Sequence, residues 1–322
     1  MQPRIRALVL WIVAPALLGT GTASAQPDLP GVSRRDALYD VAIAGARCFV
    51  VGYPGLILRS QDRGRTFERI GPPGRTAYLA VAFADENTGV VVGRGGEALW
   101  TTDAGNTWER RAVGTSEPLF DVVLVDRETA YAVGNFAAAV RTTDGGRTFT
   151  RMRVVPEGED PTLNSVAFLD AKNGVVAGEM GLLARTSDGG DTFERLDDGT
   201  ADYHLFGVEA WSEGFIAVGS EGAILVSRDR GQTFSRVEAP VQENLIRVAV
   251  SGKRVVVVGM AGTILVAEDP SGPYRAVAGV PTYQWLAGVR VGADGRGFAV
   301  GARATLLVTD DFGNTWRAWR AP

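Results

Sequence analysis

The most constraining feature of this chain is that it repeats itself seven times. A short apolar run of the form L-x-x-V opens each unit, as "LYDVAI", "YLAVAF", "LFDVVL", "LNSVAF", "LFGVEA", "LIRVAV" and "LAGVRV". A glycine that ends a second apolar run follows, at 52, 93, 134, 178, 219, 259 and 301. Ten residues after each glycine stands an aspartate, at 62, 103, 144, 188, 229, 269 and 311. Successive aspartates are 41, 41, 44, 41, 40 and 42 residues apart. A period near 40 belongs to architectures in which one supersecondary unit cannot bury its own faces and stacks on its neighbours.

Each unit holds four short β-type runs separated by turn residues, with almost no helical periodicity. In the third unit the runs fall at 119–124, 130–134, 138–143 and 148–153. Four strands per unit and seven units predict an all-β fold, a seven-bladed β-propeller of four-stranded antiparallel blades over residues 38–322. The V/I/A-rich first and second strands are expected to be the inner ones, buried on both sides. How the ring closes, and whether residues 28–36 add a strand to the last blade, does not follow from the repeat.

The start of the chain reads differently. Arg4 and Arg6, the apolar run "ALVLWIVAPALLG" and "ASA" at 23–25 form a secretory signal, with cleavage expected after Ala25 and a linker over 26–37. An anchor helix is the alternative, but the run is short and holds Pro15. No cysteine follows the cleavage site to carry a lipid. The expectation is therefore a protein secreted across the inner membrane, periplasmic or in another extracytoplasmic compartment, with no direct membrane anchor. Without Arg4 and Arg6 the formal charge of −4 becomes −6, and there is no basic run, so nucleic acid is not an expected partner. Thirty-one of the 33 basic residues are arginine.

Cys48 and His204 are the only cysteine and histidine. No disulfide can form within the chain, and Cys48, inside the apolar "CFVVG", reads as a core thiol. A Cys/His metal site and a triad with a spare histidine base are excluded, and no metal or cofactor is expected.

The aspartates sit in turns such as "RTTDGGRTFTR" (141–151), "WTTDAGNTWER" (100–110) and "RTSDGGDTFER" (185–195). An aspartate in a tight turn accepts hydrogen bonds from backbone N–H groups one to three residues ahead, and glycine takes the left-handed position. The threonine hydroxyl bonds back to the turn, and the aromatic that follows packs between blades. Six copies are intact, giving Asp62, Asp103, Asp144, Asp188, Asp229 and Asp311 a structural role. The sixth unit, "AEDPSGPYRA", keeps Asp269 but lacks the threonine. A catalytic group need not recur on every blade, whereas a hairpin staple would.

The turn resembles the Asp box, or BNR repeat, of sialidase-like propellers. The sialidase chemistry does not come with it. The arginine of "FERIGP" (67–72) is only the end of the first Asp box, and carboxylates at 156–161 and 197–202 read as solvated inter-blade loops. Across residues 38–322 the chain resembles the photosystem II stability/assembly factor family, best in "VVVGRGGEALWTTDAGNTWER" (90–110) and "YAVGNFAAAVRTTDGGRTFTR" (131–151). That resemblance implies a non-enzymatic, protein-binding scaffold that helps a membrane subunit into its complex. In a bacterium without photosynthesis it implies an accessory role for an envelope system such as a transporter. Photosynthetic members usually start with a lipoprotein cysteine or a transit peptide, which this chain lacks, and their Arg-rich recognition patch does not map onto it residue by residue. The alternatives are a glycan- or small-ligand-binding propeller or, further off, a glycoside hydrolase.

In a propeller the loops joining second to third strands share one face with the blade-to-blade loops. The first set supplies Tyr53, Arg94, Asn135, Phe136, Glu179, Met180, Glu221, Met260 and Arg303. The second supplies Tyr78, Tyr203, His204, Tyr283 and Trp285. Aromatic, Met and Arg side chains are enriched at interface cores. This face, above all Tyr203, Tyr283 and Trp285 of blades 5 to 7, is the expected binding face of a monomeric scaffold for a membrane protein segment. Some of these aromatics are equally placed to plug the channel or cover blade junctions.

Overall fold

A computed structural model describes residues 29–196 and 203–322. The signal segment and the acidic stretch 197–202 lie outside them. The described residues form seven four-stranded antiparallel sheets, each with its strands in chain order. Blade 1 begins at Ala37 and blade 7 ends at Ala318, in agreement with the repeat. Blade 3 shows the unit: Leu119–Leu124, Ala130–Gly134, Ala139–Thr142 and Thr150–Arg151. The outer strand is shorter than its sequence suggests, because the Asp-box turn takes up the residues before it. A two-residue outer strand also leaves little unpaired edge exposed on the rim.

Burial corrects one expectation. In blade 3 the second strand is buried throughout, while the first alternates buried and half-buried residues. The third strands share the burial of the second. First strands are the inner edge of each blade and line the central channel, so they are less completely covered than the second strands.

Seven apolar clusters fill the seven blade junctions. One of them joins the chain's two ends: Leu38, Val50, Leu58 and Phe67 of blade 1 pack on Phe298, Val300, Val308 and Trp319 of blade 7. Trp319 donates its indole N–H to the Gly64 carbonyl at 2.7 Å. Closure therefore comes from packing, from side-chain ties and from the Ala304 N–H bonded to the Asp36 carbonyl at 2.8 Å, with no strand borrowed across the seam among the described residues. Cys48 is buried in this cluster, and burial pushes its thiol up to about 12.

The recurrent glycine has one physical cause in all seven blades. A Cβ at Gly52, Gly93, Gly134, Gly178, Gly219, Gly259 or Gly301 would lie 1.9–2.5 Å from the carbonyl oxygen of the residue just before the L-x-x-V run. The second strand ends against that backbone, and only hydrogen fits.

The Asp boxes share a single geometry. In blade 3 the Thr142 hydroxyl donates to Asp144 Oδ1 at 2.8 Å and accepts the Gly146 N–H at 3.0 Å. Asp144 accepts the Thr148 N–H at 2.9 Å and the Thr148 hydroxyl at 2.6 Å. Asp62, Asp103, Asp188, Asp229 and Asp311 do the same. The N–H donors stand three and four residues ahead rather than one to three. The residue after the aspartate is also left-handed, and four blades put Arg63, Ala104, Arg230 or Phe312 there instead of glycine. Its N–H donates to the turn between the first two strands, as Ala104 does to the Asn87 carbonyl at 2.9 Å. In the sixth blade Asp269 turns outward, pairs with Arg228 of blade 5 and accepts the Ser271 N–H at 3.0 Å.

Candidate functional site

Each turn between second and third strands is tied to a neighbouring blade-to-blade loop. Arg94, Asn135, Glu179, Ser220, Met260 and Ala302 donate backbone N–H groups to Ala77, Pro118, Thr162, His204, Asn244 and Trp285, at 2.9–3.1 Å. Further ties join Ala137 to Pro161, Gly222 to Glu243 and Ala304 to Asp36. The two loop sets thus form one hydrogen-bonded face on the side opposite the Asp boxes.

Among the described residues five large apolar side chains are exposed: Tyr53 (39%), Phe136 (55%), Met180 (59%), Met260 (42%) and Tyr283 (88%). All five stand on this face. Phe136 and Met180 occupy the left-handed region at φ 50° and 51°, as do Glu221 and Arg303 at 54°. An L-residue held there costs on the order of 1 kcal/mol, so a turn of this kind offers its side chain to solvent at the expense of stability.

The other predicted residues divide. Arg94, Arg303 and His204 are exposed. Tyr78 is buried (1%) at the start of blade 2's first strand and belongs to the core. Tyr203 is half-buried, under the Arg236 guanidinium, which lies 4.7 Å from its ring centroid and also donates to its hydroxyl. Trp285 is half-buried and stacks on Tyr39 with 6.1 Å between ring centroids. Of the three aromatics foremost in the sequence, only Tyr283 stands clear of the fold. Asn135 and Glu179 help to brace the face, the Glu179 carboxylate accepting the Thr162 N–H at 3.2 Å.

The channel holds a polar set that the repeat alone does not reveal. It comes from the third position of L-x-x-V, which is Asp40, Ala80, Asp121, Ser165, Gly207, Arg247 and Gly288 in turn. Arg247 pairs with Asp121 at 2.9 Å, the Ser165 hydroxyl donates to Asp121 at 2.5 Å, and all three are buried. These side chains also satisfy N–H groups on the channel-side edge of the next blade. Val81 donates to Asp40 at 3.0 Å, Val166 to Asp121 at 3.1 Å and Val208 to Ser165 at 3.1 Å. Burial raises the Asp40 carboxyl above the usual range, opposed by Arg247 and Arg290. One turn of side chains further along, Arg290 pairs with Glu209 at 2.5 Å. A cavity of about 560 Å³ opens there, lined by Asp121, Arg247, Glu209, Arg290, Asp294 and apolar side chains. Among the described residues no group of three or more His, Cys, Asp or Glu could hold a metal ion. Nor, among the described residues, is any helix long and apolar enough to cross a membrane.

Residues 72–156 and 112–207 match the family model described as photosynthesis system II assembly factor YCF48. No curated protein matches the chain. Among solved structures it is similar to YCF48 bound to D1 peptide, with a TM-score of 0.72 and 18% identity over 88% of this chain and 95% of that one. It is also similar to YCF48 from Cyanidioschyzon merolae, with a TM-score of 0.69 and 18% identity over 90% and 99%. The WD40 repeats of RRP9 reach 0.72 with 10% identity, over 86% and 94%. At these identities the structural likeness speaks for the fold alone. The matched repeats, 72–207 together, are similar to the photosystem II assembly factor family, and the fold they belong to is a seven-bladed Asp-box β-propeller.

Proposed function

We propose that this chain is a non-enzymatic, extracytoplasmic scaffold that holds a segment of a membrane protein while its complex is assembled or maintained. One observation carries this reading: every large apolar side chain exposed among the described residues stands on one face. Protein-binding surfaces concentrate such groups where a partner covers them. The solved relative described as bound to a D1 peptide supports the same kind of partner. In a bacterium without photosynthesis the complex is an envelope one, such as a transporter.

The test is a crosslinked pull-down of the tagged protein from its native cell envelope, read by mass spectrometry. Tyr283→Ala with Met260→Ala is the control, because Trp285 and Tyr203 also serve the fold. One defined membrane complex, captured by the parent and lost in this folded variant, is the expected result. Equal capture by both proteins, or no complex from a folded parent, overturns the reading. Small-ligand binding is the second reading and rests on the channel cavity with its Glu209–Arg290 pair. It gains weight only if the envelope capture is empty.

A further inference from the structure

The binding face is not uniform in charge. Blades 7, 1 and 2, with the segment leading into blade 1, present Arg34, Arg35, Arg75, Arg94 and Arg303, all exposed. Their position on this face follows from the backbone ties of Gly55 to Thr76, Arg94 to Ala77 and Ala304 to Asp36. Of the acids here, Asp36 is engaged by the Ser33 N–H and hydroxyl and Glu97 pairs with Arg110. Around the ring, the loops of blades 3 to 6 present Glu157, Asp160, Glu221, Glu238 and Glu243, also exposed. Arg153 faces Glu157 at 3.8 Å, Arg195 faces Glu159 at 3.6 Å and Arg236 covers Tyr203, and Asp160, Glu221, Glu238 and Glu243 stand outside these pairs.

The two charged arcs occupy contiguous, different parts of one ring, and the apolar side chains run through both. Tyr53 stands in the basic arc, Phe136, Met180 and Met260 in the acidic one, and Tyr283 at the return toward blade 7. Charges on a face this size lie within a few Debye lengths of each other, each about 8 Å at physiological salt, so the field changes sign across the face without cancelling. Such a field selects the orientation of what binds more than the strength of binding.

We propose that the segment held on this face is charge-polarised, with basic residues over the loops of blades 3 to 6, acidic residues over blades 7, 1 and 2, and apolar side chains between. The proposal rests on the segment-binding reading above and adds the partner's chemistry and direction.

Panning a library of random 15-residue peptides on the purified chain tests it. Two charge-reversed proteins are panned in parallel, Glu221→Lys with Glu243→Lys and Arg75→Glu with Arg94→Glu. The parent should enrich peptides with an apolar centre, Lys and Arg in one half and Asp and Glu in the other. Reversal of the acidic arc should remove the Lys and Arg, and reversal of the basic arc the Asp and Glu. A peptide chosen by the parent should lose roughly tenfold in affinity for each reversed protein by fluorescence anisotropy. Apolar peptides enriched without charge sorting, or identical pools from all three proteins, overturn the polarity and leave segment binding standing. No enrichment over a Tyr283→Ala, Phe136→Ser protein overturns both.

Discussion

Removing the Asp121 carboxylate should cost this propeller more than removing the arginine it pairs with. Both side chains are nearly buried, at 8% and 10% exposure. Asp121 accepts from Arg247 at 2.9 Å, the Ser165 hydroxyl at 2.5 Å, the Val166 N–H at 3.1 Å and its neighbour Val122 N–H at 3.0 Å. Asp121→Ala leaves the Val166 N–H without that acceptor and the Arg247 guanidinium buried with Ser165 Oγ at 3.3 Å. Orphaning one member of a buried pair costs about 3–5 kcal/mol. Arg247→Met leaves the carboxylate its hydroxyl and two N–H donors, so the loss is one charge-assisted bond, about 1.5–3 kcal/mol. The double variant removes both members of the pair, leaves Asp40 with Arg290, and should be no worse than Asp121→Ala alone, a coupling of about 2 kcal/mol. Equilibrium unfolding in guanidinium chloride, followed by tryptophan fluorescence, measures all three. Equal costs for the two single variants, or strict additivity in the double, would refute the argument that the channel network acts as a unit.

Two further predictions concern the repeat itself. Gly134→Ala drives a Cβ to 1.9 Å from the Pro118 carbonyl and should cost about 2–3 kcal/mol in the same assay, whereas Gly74→Ala meets nothing within 4 Å and should be neutral. The Thr192 hydroxyl, followed by the Thr192 N–H, holds the Asp188 carboxyl at about 2, and Thr148 does the same for Asp144. A folded pKa below the unfolded value of about 3.9 gives stability that is present above pH ~4 and lost as pH falls through about 2. Asp188→Asn should therefore lower the melting temperature at pH 7 and narrow its difference from the parent toward pH 2. An unchanged difference across that range would remove the Asp box from acid unfolding.

Much of this was legible because it is local. The Asp box closes within seven residues, from Thr142 to Thr148 in blade 3, so its sequence already holds every partner it needs. The seventh glycine has the same environment as the first, and recurrence alone exposed its role. The proposed binding face was legible as a set of loops, since strand order dictates which turns share an end of a blade. Which aromatics stand free was not. Tyr78, Tyr203 and Trp285 look like Tyr283 in sequence, yet the first is core, the second lies beneath Arg236 and the third stacks on Tyr39.

The sequence by itself determined the number of blades, the strands within each and the turns that staple them, since each depends on contacts inside about 40 residues. Only the tertiary structure decided what the closed ring brings together. Asp121, Ser165 and Arg247 come from the inner strands of blades 3, 4 and 6, and between the last two stands Gly207 of blade 5, whose missing side chain leaves room beside Arg247. Leu38 and Trp319, at opposite ends of the propeller, share one cluster for the same reason. Seven copies of a local rule bend the chain into a circle, and the neighbours created by closing it are written in no single repeat.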